Sequence, residues 1–406
     1  DAGETWTEVK GGGFPETMKG RISVAIAASD PNIMYTLVEA DTVSPHKKEA
    51  GVKPAKSPTG LYRSEDAGKT WTKMNDEDTR PFYYSQLRVD PTNANHVFWS
   101  STPLKYSWDG GKTTGNTTNN VHVDHHAMWI DPKDPSHIIV GDDGGVAQTW
   151  DSGGNWDSMN QLPIGQYYNV SFDMAVPYNV CGGAQDNGAW CGPSRRRTGP
   201  ITNSMWFTFN GGDGFVTAQD PTNSDIIYGE SQGGNIGRYV VSTGERFGLA
   251  KPSWRTQYTQ WEDSIAVLWP DTTKALSKDE KRRYEGYRAL QKRDSIDLDL
   301  RWNWNTPFLI SKHNPQVLYF GSNRVLKSTK SGDEMYPISP DLSYADTMKI
   351  RVSTVTTGGI TTDATGAETF ATIVSLNESP IRPGILYAGT DDGRLWMTWN
   401  DGGNWN

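Results

Sequence analysis

Ser64-Glu65-Asp66-Ala67-Gly68-Lys69-Thr70-Trp71 decides how this 406-residue chain is read. The stretch has the form Ser/Thr-x-Asp-x-Gly-x-x-Trp. It recurs as Thr149-Trp150-Asp151-Ser152-Gly153-Gly154-Asn155-Trp156 and as Thr398-Trp399-Asn400-Asp401-Gly402-Gly403-Asn404-Trp405. Weaker copies begin at Ser107, with Asp109, Gly111 and Thr114 for Trp, and at Ser328, with Gly332 and Lys330 for Asp. The chain itself opens inside a copy, Asp1-Ala2-Gly3-Glu4-Thr5-Trp6. The residue types describe a local turn. Asp accepts backbone N–H bonds, Gly takes a conformation that a side chain would forbid, and Trp packs between neighbouring sheets. These Asp residues are therefore structural, not catalytic.

A second element marks the repeat more completely: an apolar strand, a turn with Asp or Pro, then a short apolar strand ending near an aromatic. It occurs at Asp30-Pro31, Asp90-Pro91, Asp131-Pro132, Asp173, Asp220-Pro221, Asn314-Pro315 and Ser379-Pro380. Uninterrupted spacing is about 40–47 residues, the length of a four-stranded propeller blade. The expected fold is all-β: a single seven-bladed β-propeller over 1–406 with insertions at 41–60, 255–300 and 340–368. Only 274–300 reads as a helix, capped by Ser277 with Asp279 and Glu280 in its first turn, and with Tyr284, Tyr287 and Leu290 facing the propeller. The box should join the third strand of a blade to the fourth. Residues 5–9 would then complete the last blade, begun near 370, and close the ring. The rival reading is a piece of a longer multi-propeller chain.

The net charge of -9 argues against nucleic acid as a partner, because phosphate would be repelled. Arg195-Arg196-Arg197 and Lys281-Arg282-Arg283 read as solvated surface. No apolar run approaches the roughly 18–20 residues of a membrane span. The two cysteines, Cys181 and Cys191, can face each other if Val180 and Trp190 lie on the strands of one hairpin, and a disulfide there favours an oxidising, extracellular or periplasmic compartment.

A propeller places its function on loops between second and third strands and on those entering first strands. The candidate acids are Glu39, Asp142, Asp186, Asp213 and Glu230, since paired carboxylates can divide acid and base work. Candidate ligand contacts are Arg21, Gln86, His122, Asp124, His125, His126, Tyr167, Gln185, Asn187, Gln232, Trp302, Trp304, Arg324 and Asp391. Aromatic rings among them suit stacking on sugar rings. On an extended strand His122, Asp124 and His126 would point to one side, an arrangement open to a divalent metal. At least four of His122, Asp124, His126, Asp142, Asp186, Asp213 and Glu230 are expected around one pocket.

The repeated box resembles the Asp box, or BNR repeat, of sialidases, family 74 xyloglucanases and sortilin-type receptors. The stretches His122–Pro132 (HVDHHAMWIDP), Gly182–Ser194 (GGAQDNGAWCGPS), Gly211–Phe215 (GGDGF), Glu230–Asn235 (ESQGGN) and Asn303–Pro307 (NWNTP) resemble the large secreted bacterial proteins labelled BNR-repeat or family-74-like hydrolases. In the xyloglucanases a Gly-rich entry precedes an acid in the next loop; here Gly11-Gly12-Gly13-Phe14 and Glu39 or Asp41 stand in similar places. The resemblance implies a secreted propeller acting on or binding carbohydrate, with a sortilin-like module that holds another protein as the alternative.

Overall fold

A computed structural model of the chain describes residues 3–40, 57–78, 80–84, 86–117, 120–160, 162, 165–271, 274–297, 299–352 and 369–406. Asp41 and most of the expected insertions at 41–60 and 340–368 lie outside these. The described residues form seven antiparallel sheets, each with its strands in sequence order. They divide into two compact units, one ending at Leu162 and the other beginning at Gly165.

The first unit holds three four-stranded sheets. Sheet 1 is Lys19–Ile26, Met34–Ala40, Gly60–Ser64 and Thr72–Asn75. Sheet 2 is Leu87–Val89, Val97–Trp99, Lys105–Ser107 and Gly115–Asn116. Sheet 3 is His125–Ile130, Ile138–Asp142, Gly145–Thr149 and Asp157–Ser158. The second unit holds four sheets. Sheet 4 is Tyr167–Phe172, Asn179–Ala184, Gly188–Pro193 and Phe207–Asn210. Sheet 5 is Thr217–Gln219, Ile226–Ser231, Asn235–Val240 and Glu245–Gly248. Sheet 6 is Phe308–Ile310, Leu318–Gly321, Val325–Ser328 and Tyr336–Pro337. Sheet 7 has three strands, Ile373–Glu378, Leu386–Thr390 and Leu395–Thr398.

One hydrogen bond recurs in all seven sheets and explains why the Asp/Pro turns mark the repeat. The residue after the first strand donates its N–H to a carbonyl six positions on: Ala27 to Ile33, Asp90 to His96, Asp131 to His137, Asp173 to Asn179, Asp220 to Ile226, Ser311 to Val317 and Ser379 to Ile385. The box turns are equally regular. Ser64 Oγ accepts from Gly68 N at 2.8 Å, Asp66 Oδ1 accepts from Thr70 N at 2.8 Å, and Trp71 Nε1 donates to Gly68 O. Asp109 and Asp151 are bound alike by Thr113 N and Asn155 N, and in the last copy Asn400 receives Asn404 N. These backbone donors, the largest influence, hold the carboxyls of Asp66, Asp109 and Asp151 down at about 2. Ala67 and Gly68 both lie at positive φ, 57° and 84°, which is why the box needs its glycine. Each turn joins a third strand to a fourth, in sheets 1, 2, 3 and 6, and a box follows the third strand of sheet 7.

Within each unit, successive sheets share a core. Tyr35, Leu37 and Leu61 of sheet 1 pack with Leu87, Val97 and Trp99 of sheet 2. Tyr228 and Ile236 of sheet 5 pack with Phe308, Leu318 and Phe320 of sheet 6, which in turn gives Tyr319 and Val325 to Ile373 and Leu386 of sheet 7. Full burial of one such side chain contributes roughly 1.5–3 kcal/mol.

Three expectations need correction. Residues 5–9 form no strand and Trp6 is 90% exposed, while in the three-stranded sheet 7 Asn406 exchanges two backbone hydrogen bonds with Met397. The insertion after sheet 5 contains two helices, α1 (Trp254–Leu268) and α2 (Lys278–Asp297). Tyr284 and Tyr287 of α2 meet Trp269 and Trp261 edge-on at 5.5–5.6 Å, so this face packs on α1 and its end rather than on the sheets. The cap is as read: Ser277 N donates to Glu280 Oε2 at 2.9 Å. Finally, Gly12 and Gly13 press on the backbone of Lys69 and Trp71, with Trp71 N donating to Gly12 O, so the Gly-rich run braces a box turn at the opposite end of sheet 1 from Glu39. No described helix is long and apolar enough to cross a membrane.

Candidate functional site

The candidate residues fall into two groups, one in each unit. In the first, His125 opens the first strand of sheet 3 and, across a bulge, pairs with Asp142 on the second. His125 is fully buried, its Nδ1 lies 3.2 Å from Thr102 O, and its Nε2 has no partner. Burial lowers the imidazole pKa, against the pull of Asp142, while burial also raises Asp142 although Gly144 N donates to it. His126, on the strand's other side, stands 3.4 Å from Asp143 Oδ1 and edge-on to Tyr83, whose hydroxyl donates to Asp143 Oδ2. The Tyr84 hydroxyl donates to Asp124, and Arg80 lies 4.4 Å over the Tyr83 ring.

The extended strand expected to set His122, Asp124 and His126 on one side is not formed. Asp124 sits at φ 64° and the strand begins only at His125, so residues 122–126 do not alternate as one extended strand. His122 Nδ1 is 3.1 Å from Val123 O, beside Gly144. Among the described residues no three His, Cys, Asp or Glu side chains are grouped to hold a metal ion.

Also in the first unit, Glu39 Oε2 accepts from Arg21 N, and the Arg21 guanidinium donates to Phe82 O. Arg21 thus belongs to the first strand of sheet 1, not to the loop entering it. Beside Glu39 lies Asp78, pushed up to about 7 chiefly by burial and further by the Glu39 charge. No motif in the sequence marks Asp78. Gln86 accepts from the Arg88 guanidinium.

The second group is built on interlocked glycines. A Cβ on Gly183 would lie 2.2 Å from Phe215 O, and one on Gly214 equally close to Gly188 O. Gly188 N donates to Gly212 O and Gly214 N to Ala184 O, clasping the GGDGF loop to the end of the sheet 4 hairpin. That contact carries Asp213, buried, to Asp186, whose N–H donates to Asp213 Oδ1 at 2.7 Å. Glu230 is wholly buried; Oε1 accepts from Gly234 N and Thr306 N at 3.0 and 3.3 Å, and Oε2 has no partner. Burial pushes this carboxyl up to about 9, Asp213 adding to the rise and Lys251 opposing it. Lys251 donates to Gly233 O and Asn235 Oδ1 and lies over Trp302, with its pKa lowered by burial. Tyr168, Phe215 and Trp304 form a row, with ring centres 4.6 and 6.4 Å apart, next to Asp186 and Asp213. Tyr168 is 42% exposed. Sequence reading selected its neighbour Tyr167, which covers Gly182, and passed over Lys251; the adjacent Tyr-Tyr pair was the signal available for Tyr168.

Asn187 donates to Gln185 O, and Gln232 accepts from Ser231 Oγ. Arg324 is buried and donates to Ser339 O, which makes it a framework residue. Asp391 Oδ1 accepts from Thr372 N, itself linked to Asn303. Four of the five candidate acids, Glu39, Asp142, Asp213 and Glu230, accept a backbone N–H at a loop or strand end, as does Asp391; Asp186 donates its own N–H to Asp213. The cysteines are bridged and stand opposite each other in neighbouring strands of sheet 4.

No family model and no curated protein sequence matches this chain. Among solved structures it is similar to a GH74 xyloglucanase from Xanthomonas campestris, at 13% identity and a TM-score of 0.32, covering 98% of this chain and 54% of that one. A Niastella koreensis GH74 enzyme gives 11% and 0.27, over 96% and 58%. YCF48 from Cyanidioschyzon merolae gives 10% and 0.28, over 95% and 97%. This chain spans about half the length of the GH74 structures. Likenesses of this order carry no conclusion about its chemistry.

Proposed function

We propose that the seven sheets are blades of one Asp-box β-propeller, working outside the cytoplasm, and that its loop end in the second unit binds carbohydrate without cleaving it. The observation that supports binding over hydrolysis is the engagement of the acids. Glu39, Asp142, Asp213 and Glu230 each hold a backbone N–H, and Glu230, the most perturbed, is sealed from solvent. A general acid must reach the glycosidic oxygen within hydrogen-bond distance, and a wholly buried carboxyl cannot. The acids act as braces for loops that present other groups.

Those groups suit a sugar. Tyr168 and the half-buried Trp304, set on either side of the buried Phe215, offer ring surface, and the amides of Gln185 and Asn187 stand on the neighbouring turn. Stacking on an apolar sugar face with polar groups at its edge is the usual physical basis of such recognition. The disulfide agrees with an oxidising compartment.

A glycan array probed with the intact chain and with Trp304→Ala tests the reading. Binding to a defined glycan class, reduced tenfold or more in the variant, is the expected result. Retention of a protein instead of any glycan would favour the assembly module, for which the helical pair offers exposed Val267 and Leu268.

A further inference from the structure

The first strands of sheets 4, 5 and 6 carry a second feature along their length, beyond the aromatic row. Tyr167 begins its strand opposite Ala184, near Asp186, whereas Phe172 ends it opposite Val180. There a cavity of about 560 Å³ is lined by Val170, Phe172, Val216, Ala218, Phe308 and Ile310, together with Gln219 and Lys312. Its volume falls in the range of small-molecule sites, about 300–1,000 Å³. Val170 and Phe172 are 62% and 66% exposed, a costly way to leave apolar side chains on a first strand.

Two polar features define what the trough takes. Gln219 lines the trough; it is 8% exposed, and its amide nitrogen is buried with no hydrogen-bond partner. The hydroxyls of Ser171 and Thr217 satisfy one another and leave that donor unanswered. Lys312 is the one charged residue among those lining the cavity, and no acid lines it. Gln219 ends the first strand of sheet 5, and Lys312 follows the first strand of sheet 6. We propose that the trough binds a free aliphatic carboxylate, with its chain along the apolar side chains and its head group toward Lys312 and the Gln219 amide.

Calorimetric titration of the intact chain with decanoate, below its aggregation concentration, tests this. Saturable binding of one decanoate per chain is expected, at least tenfold weaker for Phe172→Asp and for Lys312→Glu, with decyltrimethylammonium not binding. Both altered side chains are exposed, so both variants should fold, which circular dichroism and unchanged glycan binding would verify. The proposal fails if decanoate does not saturate a site, if both variants bind it like the parent, if the ammonium binds equally well, or if only a peptide with an apolar C-terminus binds.

Discussion

The imidazole of His137 lies flat on the indole of Trp150, with ring centres 3.6 Å apart and planes 2° from parallel. His96 and Trp108 repeat the arrangement one sheet earlier, at 3.4 Å and 11°. In each case a histidine six residues beyond an Asp-Pro turn reaches the second position of a box. The stack therefore ties the turn between the first two strands to the turn between the last two. Trp150→Ala should lower stability by about 1 kcal/mol, and a double-mutant cycle with His137→Ala should return a coupling of about 0.5–1.5 kcal/mol. Urea unfolding monitored by far-UV circular dichroism would measure both.

The clasp between sheets 4 and 5 depends on a residue with no side chain. Gly183→Ala would drive a Cβ into the carbonyl of Phe215, where only backbone could yield. A loss of about 2–3 kcal/mol or more is expected, as for an overpacked core position. Gly211→Ala, whose Cβ would meet nothing within 4 Å, should cost less than 1 kcal/mol in the same assay.

The Cys181–Cys191 bridge closes a ten-residue separation. By loop entropy it should contribute roughly 2–3 kcal/mol. Thiol titration of the denatured, unreduced chain should find no reactive sulfhydryl, and reduction should lower the unfolding midpoint without abolishing the fold.

Stability should fall as the solution turns alkaline. Glu230 is held at about 9 in the folded chain, above its ordinary value near 4.5, and Asp78 at about 7. A carboxyl raised on folding favours the native state fully below its unfolded pKa, and that preference is lost as pH rises through the folded value. The parent should therefore lose stability progressively between about pH 5 and 9, on the order of a few kcal/mol. Glu230→Gln, which keeps an acceptor for Gly234 and Thr306 but cannot ionise, should flatten most of that slope. Denaturant midpoints at several pH values would show it, and an unchanged slope in the variant would count against a buried neutral Glu230.

Much of the fold was legible because its signals are local. The seven Asp/Pro turns correspond one for one to the seven sheets, since the six-residue hydrogen-bonded loop is specified by its own residues. The helix α1 escaped notice because its sequence mixes Trp, Tyr and polar residues without a clear apolar stripe; what holds it is contact with α2. The site was legible in part. Asp186, Asp213 and Glu230 do share one neighbourhood, but that Asp213 and Glu230 brace backbone amides depends on loop geometry that residue type does not reveal. Asp78 and Lys251 acquire their shifts from burial, which no motif announces.

Central to the proposed binding is that Glu230 braces the loops while Tyr168 and Trp304 make the contact. Its most direct test is the equilibrium affinity for the best glycan from the array, measured on the parent, Glu230→Gln and Trp304→Ala. The prediction is that Glu230→Gln binds within about twofold of the parent and Trp304→Ala at least tenfold more weakly, with no reducing sugar released by any of the three. The opposite pattern, with Trp304→Ala unaffected and Glu230→Gln abolishing either binding or a measurable hydrolysis, would contradict it.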